Sequence, residues 1–253
     1  GEALKFPRKT SRGAQSMSDA RVAELGQIKK TNPTFDQVTL NAYKYGEIEQ
    51  FSRELLSDSV IDIESIVGTN LGENIANYLG YDLTLGTGSG MPRGVHKVAV
   101  DTTGNVVTGA NSVAGVIQTT DQLLDLVWKL KPSYRRNGKF LMNDATVLTL
   151  RKFKINSEVN NYAWLPGTAD VPDTLLGYPL MTDWNIPTQA ADATSILFAD
   201  FSKYYVRLVG DVRVEWSTEY AWDTDLISVK GVVRADGDAI DDSAFASFKG
   251  GTA

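Results

Sequence analysis

Residues 57–85 have the sequence SDSVIDIESIVGTNLGENIANYLGYDLTL, which carries the longest regular pattern of apolar residues that we identify in the chain. Its apolar residues recur every three or four positions, which places them along one face of an α-helix. These residues are Val60, Ile63, Val67, Leu71, Ile75 and Leu79. Asp58 or Ser59 can cap the start, and the helix would be about 40 Å long at about 1.5 Å per residue. The pattern therefore predicts one helix that is long for a chain of this size.

Three glycines interrupt this predicted helix. Gly68, Gly72 and Gly80 each lower its intrinsic stability by about 1 kcal/mol relative to alanine. Such a helix depends on tertiary packing, because most helical stability in proteins comes from burying an apolar face. We therefore expect the helix to lie across a β-sheet, with the glycines permitting close approach or slight curvature.

Charge is distributed unevenly between the first part of the chain and this helix. From Glu54 to Pro92 there are six carboxylates and no Lys or Arg: Glu54, Asp58, Asp62, Glu64, Glu73 and Asp82. Residues 1–31 contain seven basic and three acidic side chains, a net charge of +4; the basic ones are Lys5, Arg8, Lys9, Arg12, Arg21, Lys29 and Lys30. The sequence thus predicts an acidic helix face that needs a partner, and a basic segment before it.

Composition excludes several classes of site. The chain has 253 residues, enough for one elaborate domain or two interlocked ones, with no cysteine and a single histidine, His96. Disulfides, thiolate ligands and multi-histidine metal sites are therefore excluded, and we expect no catalytic residue, no metal and no cofactor. No apolar run approaches the roughly 18 residues of a membrane span. The net charge of −6 argues against a surface that grips nucleic acid tightly.

The remaining segments predict short helices and strands in an α+β arrangement. Residues 1–20 are polar and lack a period, which is typical of an arm that a neighbour orders. Residues 21–25 and 34–45 predict a two-stranded projection with a basic tip at Lys29 and Lys30. We expect this projection to lie on another subunit, because an isolated hairpin is marginally stable in water.

Further along the chain the signals are local. Residues 96–118 are typical of strand and loop, Thr119 and Gln122 can form a capping box, and Asn143 can cap a helix. The predicted helices are Asp121–Leu130 and Ala145–Lys152; the predicted strands lie at 139–142, 175–181, 195–209, 212–218 and 225–235. Residues 156–172 are assigned to a loop. Asp236-Gly237 predicts a turn.

The glycine-rich segment 86–94 contains a GxGxG pattern. A dinucleotide fingerprint follows a strand and opens a helix, whereas this segment follows the long helix, so a helix stop and tight turn are favoured. An alternative is a nucleotide-binding enzyme that uses Gly86–Gly90 with His96 and Asp101. Against it, no paired acid, base or nucleophile is evident.

In order and spacing, several short segments resemble the major capsid proteins of tailed bacteriophages, the HK97-like fold, over nearly the whole chain. They are FSRELLSDS at 51–59, residues 86–94, LMN at 141–143, LGYP at 176–179, ADF at 199–201 with Tyr204-Tyr205, VRV at 212–214, Asp236-Gly237 and Ala244-Phe245. The resemblance implies an α+β capsid fold with an N-arm, an extended E-loop hairpin, a peripheral domain with a long spine helix, and an axial domain.

The resemblance also implies a division of the chain. We expect an N-arm at 1–9, an E-loop at 10–45, the peripheral domain with its spine helix at 46–90 and the axial domain at 91–208. Peripheral strands and a loop follow at 209–235, and a C-terminal return segment at 236–253. Some members carry a scaffolding segment that a maturation protease removes, and a start at Gly1 would fit a processed chain.

The implied function is a shell protein that assembles with itself into pentamers and hexamers of an icosahedral head in the host bacterial cytoplasm and becomes part of the virion. Expected subunit contacts join Arg21, Lys29 and Lys30 to Asp62, Glu64 and Glu73 of a neighbour, while Tyr220, Trp222 and Asp223 form a contact tip. Scaffold, maturation protease, portal and decoration proteins are further implied partners, and packaged double-stranded DNA would make weak nonspecific contact. The alternative within this fold is an encapsulin-like nanocompartment.

Overall fold

The computed structural model describes residues 2–11, 22, 24, 26, 34–58, 63–109, 117, 119–152 and 174–252. Its helices are α1 (Arg53–Asp58), α2 (Ile63–Leu85), α3 (Val95–Asp101), α4 (Thr120–Lys129), α5 (Pro132–Arg135) and α6 (Asp144–Arg151). Its first six strands are β1 (Leu4–Ser11), β2 (Thr34–Leu40), β3 (Tyr43–Ser52), β4 (Val106–Thr108), β5 (Lys139–Met142) and β6 (Thr174–Leu175). The others are β7 (Tyr178–Thr182), β8 (Thr194–Ala199), β9 (Tyr204–Leu208), β10 (Arg213–Ala221), β11 (Leu226–Ala239) and β12 (Phe245–Lys249).

Three sheets organise these strands. β1 and β2 pair antiparallel in a two-stranded ribbon, here called the ribbon. A four-stranded sheet is built on β11, with β3 along one edge and both β10 and β9 along the other. A six-stranded sheet has the order β4-β12-β8-β5-β7-β6. The mixed helix and sheet content confirms the predicted α+β class.

The long helix α2 lies across the four-stranded sheet, as the sequence predicts. Val67, Leu71 and Ile75 are buried against a cluster that β3 and β11 supply. The sheet side of this cluster consists of Phe51, Val229 and Val233. Each of these helix positions is four residues from the next, so a single apolar stripe forms the contact.

The helix glycines do not provide the predicted close approach within the subunit, and their predicted role in slight curvature stays a prediction. A Cβ atom added at Gly68, Gly72 or Gly80 would meet nothing within 4 Å. The close approach lies in the sheet instead, because a Cβ atom at Gly231 of β11 would lie 2.7 Å from Leu71 Cδ2 and 2.8 Å from Ile75 Cδ1. The glycine that lets the helix and sheet meet is therefore on the strand.

The helical region begins before the predicted start at Ser57. Residues 59–62, between α1 and α2, lie outside the described residues, so the prediction of a single helix from Ser57 to Leu85 stays a prediction there. Helix α1 is already helical from Arg53, because the Ser52 hydroxyl accepts the backbone N–H of Leu55 at 3.2 Å and caps it. The predicted end agrees with the structure, since α2 ends at Leu85.

The ribbon corrects the prediction for the N-terminal region. Residues 4–11 form β1 rather than a segment without order of its own, and β1 is a partner of β2 that was not predicted. Of the predicted partner at 21–25, only Val22 and Glu24 are described, and neither lies in a strand. In the register, Leu4 lies opposite Leu40 and Phe6 opposite Val38. Basic residues and Pro7 between the apolar positions of LKFPRKTS hid this strand pattern. Arg21 and Leu25 lie outside the described residues.

Two further local predictions are wrong. Residues 95–101 form helix α3, because Val95, Val98 and Ala99 have helical spacing and are all buried, which overrides the strand preference of valine. Asp236-Gly237 is part of β11 rather than a turn.

The six-stranded sheet has a core on each face. α4 and α6 cover one face and α3 covers the other, with Phe140, Phe198, Phe245 and Phe248 fully buried in the two cores. The predicted cap at Asn143 is confirmed, since its side chain accepts the N–H of Ala145 at 3.0 Å. Thr119 is the N-cap residue of α4, but its side chain makes no capping hydrogen bond, so that part of the predicted capping box is wrong.

His96 fastens α3 to the six-stranded sheet. Its Nε2 atom lies 3.0 Å from the carbonyl oxygen of Thr194 in β8. Burial lowers the pKa of His96, and the hydrogen bond with Thr194 only partly opposes this effect. The folded chain therefore holds the neutral imidazole more firmly than the unfolded chain does.

Among the described residues, no helix is long and apolar enough to cross a membrane.

Replacing Gly231 with alanine should lower the free energy of unfolding by about 1–3 kcal/mol, since overpacking a core costs about that much. Gly72→Ala is the matched control, because its Cβ would meet nothing and alanine favours a helix by up to about 1 kcal/mol. Urea unfolding of the unassembled subunit measures both changes. A Gly231→Ala variant as stable as the parent chain would contradict the close helix and sheet packing.

Histidine titration gives a second test. As the pH falls below about 6.5, the unfolded chain takes up a proton at His96 before the folded chain does, so stability should decrease by up to about 1.4 kcal/mol per pH unit. His96→Gln removes this contribution, and no other histidine is present. We expect the difference in unfolding free energy between the two chains to change between pH 7 and the folded-state pKa. Parallel stability curves would contradict the assignment.

Candidate assembly surfaces

The ribbon is attached through apolar and ionic contacts to the rest of the described chain, here called the body. Val38 and Leu40 of β2 are buried, and the ring of Phe6 meets the ring of Tyr205 edge to face at 5.7 Å between centroids. On β1, Arg8 Nη1 lies 3.3 Å from Asp242 Oδ2. Apolar packing and the ion pair of Arg8 therefore both attach the ribbon to the body.

Asp242 joins the ribbon to the segment that follows α2. Its other carboxylate oxygen lies 3.3 Å from Arg93 Nη1, and Arg93 also pairs with Asp101 at 3.2 Å and with Asp238 at 3.4 Å. Burial lowers the pKa of Arg93, but the three carboxylates outweigh it, so the pKa lies above its ordinary value. The Arg93 side chain therefore links α3, β11 and Asp242.

The outward face of α2 carries the exposed side chains of Ile66, which is 43% exposed, and Glu73, seven residues further along the helix. Tyr78 and Tyr81, 53% and 52% exposed, lie nearer the C-terminal end of the helix. Asp82 is different, because its carboxylate accepts the hydroxyl of Tyr45 at 2.7 Å. Glu73 is thus placed for an external contact, whereas Asp82 already has an internal partner.

The structure describes only some of the predicted contact residues. Arg21, Lys29, Lys30 and Asp62 lie outside the described residues; Glu64 belongs to α2, but its side chain is not among those described. The proposed meeting of the basic segment with the acidic helix therefore stays a prediction.

The predicted contact tip between β10 and β11 is a short 3₁₀ helix, Trp222–Thr224. Tyr220 just before it is 71% exposed and Asp223 within it is exposed. Asp225 fastens the tip to α1 through an ion pair with Arg53 at 3.1 Å. The side chain of Trp222 is not described.

β10 and the residue before it carry an exposed apolar strip that was not predicted from the sequence. Val212, Val214 and Trp216 are 58%, 47% and 45% exposed, although Trp216 meets the ring of Phe51 edge to face at 6.0 Å. The alternation of these residues was visible in the sequence but was interpreted only as a strand. β10 occupies an edge of the four-stranded sheet, so the strip extends the surface beside α2.

The domain of the six-stranded sheet also exposes large side chains. Trp128, Leu148 and Trp184 are 63%, 52% and 75% exposed. The guanidinium carbon of Arg135 lies 4.4 Å from the ring centroid of Trp128, a cation–π contact that holds the indole against the surface. Tryptophan in such a position is typical of a binding interface.

The glycine-rich segment forms a closed turn. Gly88 donates its N–H to Pro92 at 3.2 Å, Gly94 donates to Gly86 at 2.9 Å, and Thr87 bridges Arg93. Gly88 and Gly90 have φ of +82° and +73°, which only glycine adopts readily. This confirms the predicted helix stop. The backbone N–H groups of Gly88 and Gly94 already donate hydrogen bonds within the turn.

The residues of the alternative enzyme hypothesis have other partners. Asp101 is paired with Arg93 and with Lys97, whose Nζ lies 2.6 Å away. His96 lines an open cavity of about 550 Å³ in which the charged pair is Lys249 and Asp192, 2.7 Å apart. Within the described part of the chain, no three His, Cys, Asp or Glu side chains are grouped to hold a metal.

The fold of the whole chain is similar to that of several solved structures. The capsid of a native GTA particle, computed with C5 symmetry, superimposes with a TM-score of 0.84 at 25% identity, covering 99% of this chain and 85% of that chain. Structures from Mycobacterium phage Adephagia (TM-score 0.73, 15% identity, 100% of this chain and 86% of that chain) and Gordonia phage Cozz (TM-score 0.70, 12% identity, 98% and 81%) share the fold. No curated protein matches by sequence.

A family model matches far more of the chain than any single motif covers. The model described as the phage capsid family matches residues 1–250, which includes the ribbon, both larger sheets and every helix described above. The fold is the HK97-like capsid fold. The chain therefore belongs to the phage capsid family and is a major capsid protein, the structural subunit of a shell.

Proposed function

We propose that this subunit assembles into pentamers and hexamers that close into the icosahedral head of a tailed double-stranded DNA phage. The observation that carries the proposal is the match of a capsid family model to nearly the whole chain. A closed lattice suits such a subunit, because many modest contacts repeated by symmetry add up to a stable whole. Assembly in the host bacterial cytoplasm is part of the proposal.

The proposed mechanism is association through three surfaces. The exposed outward face of α2, the apolar strip of β10 and the exposed tryptophans of the six-stranded domain would each meet another copy of the chain. Aromatic side chains supply much of the energy of protein interfaces, while complementary charge fixes register and speeds encounter. The proposal assigns no chemical reaction to the chain.

Electrostatic steering is the second part of the mechanism. The basic segment that contains Arg21, Lys29 and Lys30 would lie over Asp62, Glu64 and Glu73 on the long helix of a neighbouring subunit. Support comes from the exposure of Glu73 and from the absence of Lys and Arg between Glu54 and Pro92. Tyr220, Trp222 and Asp223 would meet neighbours at the contact tip. The proposal includes the division of the chain into an N-arm, an E-loop, a peripheral domain and an axial domain.

Other partners follow from the same proposal. Scaffold, maturation protease, portal and decoration proteins would bind the assembling or finished shell. DNA would make weak nonspecific contact, because an acidic subunit holds phosphate poorly. An encapsulin-like compartment with protein cargo is the second candidate, favoured only by the same shell fold.

Electron microscopy of the purified protein tests the proposed function. We expect closed shells or rings of five and six subunits, and shells that contain double-stranded DNA when isolated from the virion. Absorbance at 260 and 280 nm separates a DNA-filled head from a compartment filled with protein. A monodisperse monomer across a range of salt and pH would contradict the proposal.

Charge reversal tests the steering mechanism. Changing Lys29 and Lys30 together to glutamate should reduce the yield of particles about fivefold or more, because like charges would then face each other. Changing Asp62 and Glu73 to lysine in the same chain should restore part of the yield. The control reverses Lys44 and Lys152, two exposed lysines elsewhere. Sedimentation measures the assembled fraction, and normal particles from the first variant would refute the charge contact.

A further inference from the structure

A pair of opposite charges lies where the ribbon joins the body. Arg207 of β9 and Asp236 of β11 are direct cross-strand partners in the four-stranded sheet. Side chains opposite each other on neighbouring antiparallel strands point to the same face. Arg207 is half-buried and Asp236 is only 4% exposed.

Arg207 donates hydrogen bonds to both strands of the ribbon. Its Nη1 donates to the carbonyl oxygens of Leu40 at 2.6 Å and Asn41 at 3.2 Å, just where β2 ends. Its Nη2 donates to the carbonyl oxygen of Glu2 at 2.7 Å, just before β1 begins. One guanidinium therefore holds the two ends of the ribbon together and holds them to the body.

Asp236 completes the attachment from the other side. Its Oδ2 accepts the backbone N–H of Asn41, the residue whose carbonyl Arg207 binds, and its Oδ1 accepts the N–H of Gly237 at 2.7 Å. If the ribbon swung away, the buried carboxylate would lose Asn41 and retain only one backbone donor. Because an unsatisfied buried carboxylate is costly, the partners of Asp236 resist that movement.

The other contacts of the ribbon are less directional. Val38 and Leu40 are buried, and apolar burial is a non-directional interaction. Arg8 and Asp242 form a single partly buried ion pair at 3.3 Å, and Phe6 meets Tyr205 edge to face. The planar guanidinium is different, because its donors have a fixed direction relative to one another.

We infer that Arg207 and Asp236 are the positioning residues that set the direction in which the ribbon leaves its subunit and so set its reach toward the next copy. This inference rests on the proposed function, in which the ribbon and the segment it carries contact a neighbouring subunit. A two-stranded ribbon is marginally stable alone, so its order also depends on how its base is held. Arg207 and Asp236 therefore control both the order and the aim of the ribbon.

The test compares Arg207→Gln with Arg213→Gln, in which an exposed arginine of the neighbouring edge strand loses the same charge. Hydrogen exchange of the unassembled subunit is measured first. Loss of Arg207 should speed exchange at residues 4–11 and 34–41 about tenfold or more, while exchange in α2 and β8 stays near that of the parent chain. Arg213→Gln should leave the ribbon unchanged.

Two further variants separate direction from charge. Arg207→Lys keeps the charge without the planar fork, and we expect it to loosen the ribbon almost as much as glutamine does. Asp236→Asn keeps an acceptor but not the charge, and we expect a smaller effect. A ribbon that Arg207→Lys leaves fully protected would overturn the directional role, and unchanged exchange in Arg207→Gln would overturn the inference.

Particle assembly is the measurement that separates a positioning role of Arg207 from a purely stabilising one. We expect Arg207→Gln to form particles of mixed size, open sheets or tubes, while its thermal midpoint remains close to that of Arg213→Gln. Uniform shells of parent size from Arg207→Gln would contradict the inference. If the parent chain itself forms no particles, the proposed function fails, and the exchange experiment still decides whether Arg207 orders the ribbon.

Discussion

The close contact between α2 and β11 at Gly231 determines how the long helix and the four-stranded sheet fit together. A Cβ atom at Gly231 would lie 2.7 Å from Leu71 Cδ2 and 2.8 Å from Ile75 Cδ1, so these side chains would have to shift to make room for a larger residue. β11 is also the one described strand that pairs with β3, β9 and β10. Its first half therefore carries the helix, and its second half carries Asp236 and Asp238.

The second half of β11 turns this scaffold into a platform for the ribbon. Asp236 binds the ribbon at Asn41, while Asp238 binds Arg93, which also binds the Asp242 that Arg8 of the ribbon contacts. Burial raises the pKa of both Asp236 and Asp238, because an ionised carboxylate is less favourable away from water. Arginines and backbone N–H groups compensate for part of that cost, so the carboxylates depend on the contacts that hold the ribbon.

The long helix, its apolar stripe, the helix stop at the glycine-rich turn and the capsid fold could all be predicted from the sequence. These features depend on neighbours close in the chain or on a pattern repeated over many residues. The pairing of β1 with β2 was missed because more than twenty residues separate these strands, and Gly231 was overlooked because only a tertiary contact gives it a role. Asp236-Gly237 has the local composition of a turn, but a Cβ atom at Gly237 would lie 2.6 Å from Leu83 Cδ2, so this glycine also serves helix packing. The sequence assigns Asp82 to an acidic helix face and Arg8 to a basic segment, whereas the structure gives both an internal partner.

In the proposed assembly, the body of the subunit aims its ribbon, together with the basic segment that the ribbon carries, at the acidic helix of the next subunit. A cryo-electron microscopy reconstruction of the assembled shell with resolved side chains tests this arrangement. We expect residues between β1 and β2 of one subunit to lie over α2 of its neighbour, with Lys29 or Lys30 near Glu73 and with Arg207 still bound to Leu40 and Glu2. A ribbon that folds back on its own subunit, or an α2 face that no neighbouring subunit covers, would contradict the proposed assembly.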